Sequence, residues 1–113
     1  MWIFSLYNMN MKSKLIRDNI PQIISASGRQ PITHIASEAE YNNALKEKLI
    51  EEVNEYLEDP TSDELADIQE VLTAMIELDE NDVESIRLDK KARNGGFESR
   101  IILDDIVQVE GTD

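Results

Sequence analysis

Lys48-Leu49-Ile50-Glu51-Glu52-Val53-Asn54-Glu55-Tyr56-Leu57-Glu58-Asp59-Pro60-Thr61-Ser62-Asp63-Glu64-Leu65-Ala66-Asp67 is the stretch on which the fold turns. Its first half is rich in good helix formers. Asp59-Pro60 stops that helix, because the residue before a proline is pushed out of the α region. Thr61 with Glu64, or Ser62 alone, then offers a cap for a second helix. Two helices joined by so short a turn make an antiparallel hairpin. Upstream, Ser37-Glu38-Ala39-Glu40 is a capping box, so the first long helix runs from there to about Glu58. Downstream, the second runs to about Asp79, and Asn81 with Glu84 starts another that closes near Asn94-Gly95-Gly96. Asn19-Ile20-Pro21 opens a short helix near the start, closed by Gly28. Arg29 to Ala36 reads as an extended connection broken by Pro31, and Phe97 to Val109 as a strand or an extended arm. The fold class expected is all-α: a long helical hairpin flanked by two shorter helices, closed within the chain or by dimerisation.

The chain has 113 residues, the size of one ordinary domain. Asp and Glu number 24 against 11 Lys and Arg, a formal net charge of -13. That excess repels a phosphate backbone, so a nucleic-acid polymer is not an expected partner. A free nucleotide stays admissible, because a metal ion can carry phosphates into an acidic pocket. The absence of cysteine excludes a disulfide framework, a thiol nucleophile and cysteine-ligated metals, and it fits a reducing, cytoplasmic setting. Met1 to Tyr7 is apolar but too short to span a bilayer, and it lacks the marks of a signal peptide. No membrane association is expected. Residues 1–11 read as a dispensable N-terminal extension, and 12–113 as a single domain.

The acids on the two long helices fall in unusual places. Tyr41, Leu45, Leu49, Val53, Tyr56 and Leu57 fan over one face of the first, with Glu52 inside the fan and Glu55 at its edge. Leu65, Ile68, Val71, Leu72, Met75 and Ile76 define the stripe expected to be buried on the second. Glu64 points within that stripe and Asp67 lies at its border. Each helix thus offers two acids at i and i+3, neighbours on a helical surface. Counted from Pro60, antiparallel packing sets Glu55 level with Glu64 and Glu52 level with Asp67. Four half-buried carboxylates would repel one another and lose hydration, which a divalent cation relieves. All-oxygen ligation favours Mg²⁺, with Mn²⁺ as a substitute, over zinc or copper. Glu51, Glu58 and Asp59 read more simply as a solvated face.

Lys48-x-x-Glu51-Glu52-x-x-Glu55, followed across the turn by Glu64-x-x-Asp67, resembles the metal-binding signature of MazG-like nucleotide pyrophosphohydrolases. These form part of the all-α NTP pyrophosphatase superfamily, which includes phosphoribosyl-ATP pyrophosphohydrolase-like proteins. Lys14-Leu15-Ile16-Arg17-Asp18-Asn19-Ile20-Pro21 and Gly95-Gly96-Phe97-Glu98-Ser99-Arg100-Ile101 sharpen the likeness to a small single-domain branch of predicted house-cleaning NTP pyrophosphatases. The resemblance covers about residues 12 to 107. It implies a MazG-like four-helix bundle, often built by pairing two subunits, and hydrolysis of a nucleoside triphosphate to monophosphate and pyrophosphate. It implies metal ligation by Glu52, Glu55, Glu64 and Asp67, with Glu52 or Glu55 positioning or deprotonating the water. Substrate contacts are carried to Lys48, Glu51, Arg17, Lys90 and Arg100. Asn94 stands where relatives often have a basic residue before the paired glycines, so no phosphate role is carried to it.

Several residues have a plainer reading. Arg17 and Arg100 serve equally well as ion-pair staples between short elements and the acidic helices. His34, the single histidine, reads as structural or solvent-facing, and Tyr41 and Tyr56 as core, with stacking on a base the alternative for either. Without helical E-x-x-H pairs a ferritin-like di-iron site is disfavoured. No G-x-x-x-x-G-K-[ST] occurs, so the chain is not a P-loop NTPase. The competing class is a non-enzymatic acidic helical interaction module, or an inactive relative that keeps the fold.

Overall fold

The computed structural model describes residues 13–111; the N-terminal extension assigned above lies outside the described residues. The described residues are all-helical in their regular structure, with four helices: α1 (Ile20–Ala26), α2 (Glu38–Glu58), α3 (Ser62–Leu78) and α4 (Val83–Asn94). None is long and apolar enough to cross a membrane. The described residues contain no strand, and the tail after Gly96 has turns and a bend but no regular secondary structure. It divides into two compact units, one ending at Leu78 and the other beginning at Asp79.

In the first unit α2 packs against α3 as a hairpin. The caps follow local chemistry. Ser37 Oγ accepts from the Glu40 amide at 3.2 Å, and Thr61 Oγ1 accepts from the Glu64 amide at 3.2 Å, satisfying donors that the first helical turn leaves open. The carboxylate of Glu40 is turned to His34 Nε2, 2.9 Å away, so the box is used from its Ser37 side. α1 begins after Asn19 with Pro21 in its first turn, but the Asn19 side chain makes no cap hydrogen bond. Its exit bends through Gly28 at φ +88°, a conformation that a Cβ disfavours.

The core is thin. Among the described residues only Leu45, Val71 and Glu52 are buried, and one of those three is an acid. The stripe read from the sequence of α3 is covered in part: Val71 is buried and Ile68 and Met75 are half-buried. Leu65, Leu72 and Ile76 are 52%, 41% and 45% exposed, contrary to the expectation of burial. On α2, Leu57 is likewise open. Periodicity identified residues that share a face, but α1 is only seven residues long and covers little of it.

In the second unit the cap of α4 falls one residue later than the sequence suggested. Asp79 Oδ1 takes the Asn81 amide at 2.9 Å in a tight turn, and Asp82 Oδ1 accepts from the Ser85 amide at 3.0 Å. Gly95, at φ +86°, ends the helix with its amide on the Lys91 carbonyl.

Candidate functional site

The turn 59–61 sets the register that brings acids of α2 and α3 together. Glu52, Glu64 and Asp67 each place a carboxylate oxygen within 4.8 Å of the others. Oxygens in adjacent positions around one hard ion at about 2.1 Å sit about 3.0 Å apart, so the three carboxylates would draw together by up to about 1.8 Å to share it. Glu52 is 6% exposed. Its Oε2, and Oε2 of Glu64, are buried without a hydrogen-bond partner among the described residues. A buried carboxylate oxygen in that condition costs the fold free energy, and a hard cation is the partner whose chemistry suits it. The donor set therefore fits a divalent ion of the magnesium class.

Glu55 is not one of these three; one turn nearer the hairpin end, it borders them. Burial, and after it the negative charge and contact of Glu52, raise its carboxyl from 4.5 to about 7, with Glu64 and Glu51 adding to the effect. The group is thus divided between acid and base near neutral pH.

Cations line the other side. Lys48 Nζ donates to Glu51 Oε1 at 3.0 Å and lies 3.4 Å from Glu52 Oε1. Burial works against its charge, yet hydrogen bonding to Glu51 and the charges of Glu51 and Glu52 prevail and raise its pKa. Arg17 Nη2 donates to Asp67 Oδ1 at 2.7 Å, so in this structure Arg17 has the ion-pair role. Both partners are well exposed, and such a pair contributes roughly 0–1 kcal/mol. Lys14 was not singled out from the sequence. Its Nζ lies 3.8 Å from the same Glu51 oxygen that Lys48 bonds, and burial, reinforced by the charge of Lys48, lowers its pKa although Glu51 opposes this. The signal available was its place at the head of Lys14–Pro21. An extended segment has no helical period to show which of its side chains turn inward.

Lys14, Arg17, Lys48 and the carboxylates face a cavity of about 690 Å³, within the range of small-molecule sites. Its lining also includes the apolar Ile20, Ile23, Tyr41, Leu45 and Ala74, with Asp18, Glu70 and Glu77 adding further acids. Lys90 and Arg100 belong to the second unit, Lys90 on α4 and Arg100 in the turn after it at φ +59°, both exposed.

Comparison with known proteins adds little to the geometry. No family model matches the chain, and no solved structure matches it. A protein of Mycolicibacterium smegmatis, described as an uncharacterized protein, is 51% identical over 43 residues, which is 38% of this chain. The match spans 44% of that relative's length.

Proposed function

We propose that the protein is a metal-dependent nucleoside triphosphate pyrophosphohydrolase that releases a nucleoside monophosphate and pyrophosphate. The observation that carries this reading is the pair of buried, unpartnered carboxylate oxygens on Glu52 and Glu64, near Asp67 and beside a cavity that Lys14, Arg17 and Lys48 also line. Glu52, Glu64 and Asp67 would hold Mg²⁺, with Mn²⁺ as a substitute. Bound there, the ion would neutralise phosphate oxygens and polarise the phosphorus under attack.

The remaining chemistry falls to side chains of the chain itself. Lys48 shares the charge of the phosphate chain while Glu51 holds its ammonium in place. Glu55 gives up its proton once the charges of Glu52 and Glu64 are neutralised, and then accepts one from the attacking water; its position near neutrality suits a general base. Water adds to the α-phosphorus, the α–β bridging bond breaks, and pyrophosphate leaves. The apolar lining of the cavity at Tyr41 and Ile23 would take the nucleoside. A cytoplasmic role in cleansing the nucleotide pool accords with this chemistry. The exposed Leu65, Leu72 and Ile76 favour a homodimer that covers them.

The test is pyrophosphate release from a panel of nucleoside triphosphates with Mg²⁺. Glu52→Gln and Asp67→Asn should be silent with helicity intact. Orthophosphate as the sole primary product would overturn the assignment. Mg²⁺ binding with no turnover of any nucleotide would favour a non-enzymatic acidic module instead.

A further inference from the structure

Two lysines from separate segments converge on one carboxylate oxygen. Lys48, on α2, reaches Glu51 Oε1 at 3.0 Å, a hydrogen bond. Lys14, in the extended segment before α1, stops 3.8 Å from the same atom, an ion-pair distance beyond hydrogen-bond reach. Their side chains are only 17% and 20% exposed. Burying a second ammonium beside one that already neutralises Glu51 sets like charges against each other and removes hydration from both. As a staple for the segment the arrangement is poor. It suits an anion that is brought in later and accepts from both.

The charges around the cavity point the same way. Eight carboxylates, among them Glu51, Glu52, Glu64 and Asp67, line the cavity together with Lys14, Arg17 and Lys48. Arg17 is engaged by Asp67, and Lys48 by Glu51 and Glu52. Lys14 has the longest contact of the three. Even with a divalent ion added the lining stays negative, so every cation on it, Lys14 included, matters to the binding of a polyanion. Without Lys14 the lining is more negative still and resists a polyanion further.

We propose that Lys14 is a second phosphate-binding lysine, which with Lys48 grips the phosphate chain of the substrate beside the Glu52–Glu64–Asp67 centre. The inference rests on the pyrophosphohydrolase reading and extends it to a residue of the N-terminal segment. That segment then becomes a wall of the active site and not merely a cover for the hairpin.

Two titrations on the full chain separate this inference from the reading beneath it. Mn²⁺ binding, followed by electron paramagnetic resonance, reports the carboxylate centre; inorganic pyrophosphate binding in Mg²⁺, followed by calorimetry, reports the phosphate grip. Lys14→Met should keep Mn²⁺ affinity within about twofold and lose about tenfold or more in pyrophosphate affinity, the consequence of losing one charge-assisted contact. Lys14→Arg should recover most of that loss. Lys46→Met makes the same charge change at an exposed position of α2 and should leave both affinities unaltered. If Lys14→Met disturbs the helical circular dichroism, Lys14→Gln replaces it. Undiminished pyrophosphate affinity in a folded Lys14 variant overturns the inference, and so does an equal loss in Lys46→Met. Loss of Mn²⁺ together with pyrophosphate in the Lys14 variant would make Lys14 a structural support and also overturn it. Absence of Mn²⁺ binding in the unaltered protein would sink the metal-centre reading, and this inference with it.

Discussion

Replacing Glu55 by Gln should stabilise the metal-free protein above neutral pH while abolishing its activity. The folded state holds this carboxyl at about 7, against 4.5 for the free group, first because it is partly buried and then because Glu52 lies against it. Between those two values the folded protein keeps a proton that the unfolded chain has already released. Stability contributed by the protonated form is therefore full below about 4.5, falls as pH rises through the window, and is gone above about 7. The shift bounds the loss at about 3 kcal/mol. Glu55 keeps some contact with water, which lowers the working figure to roughly 1–2 kcal/mol.

Urea unfolding in EDTA, at pH 5 and pH 8 and at one fixed protein concentration, reads this directly. Fixing the concentration matters because association would otherwise move the midpoint. The unaltered protein should lose about 1–2 kcal/mol more than Glu55→Gln between the two pH values, since the amide does not titrate. With excess Mg²⁺ the difference should shrink in part, because neutralising Glu52 and Glu64 removes their contribution to the raised pKa and leaves that of burial. Parallel pH profiles for the two proteins in EDTA would refute the reasoning. They would mean that Glu55 is hydrated well enough to titrate like an isolated carboxyl.

Mg²⁺ at about a hundredfold over its dissociation constant should add about 2.7 kcal/mol to the native state, several degrees in melting temperature. Glu64→Gln should show little of that rise, because it neutralises one of the converging carboxylates; an equal rise in both proteins would place the ion elsewhere. Light scattering at micromolar concentration should give a mass near twice 12.9 kDa, and the double change Leu65→Glu with Leu72→Glu should bring it to the single-chain value. A fully active protein that already scatters as one chain would refute the homodimer.

The parts of the fold legible in the sequence are those governed by local chemistry. Ser37 and Thr61 cap because their hydroxyls reach an amide three residues on, whatever the rest of the chain does. The start of α4 was misplaced by one residue for the same kind of reason. Asp79 competes for the Asn81 amide, and the choice between two neighbouring polar residues depends on turn geometry that composition does not carry. The hairpin register needed only the position of Pro60 and the helical rise. The uncovered stripe of Leu65, Leu72 and Ile76 was not legible, because a helical period says which residues want burial and not what is present to bury them.

The acids divide along the same line. Spacing of i and i+3 puts Glu52 and Glu55 about 60° apart around α2. That angle separates their roles: Glu52 points into the hairpin among the converging oxygens, and Glu55 stands at its edge with a raised pKa. A purely structural acidic cluster would be expected to share its cations evenly, since every unpaired oxygen weakens the fold. Here the cations lining the cavity serve Glu51, one oxygen of Glu52 and one of Asp67, while the buried Oε2 atoms of Glu52 and Glu64 are left without a hydrogen-bond partner among the described residues. On the metal-dependent reading proposed above, a hard cation between α2 and α3 would meet oxygens from both helices and would stabilise the hairpin as it prepared the site.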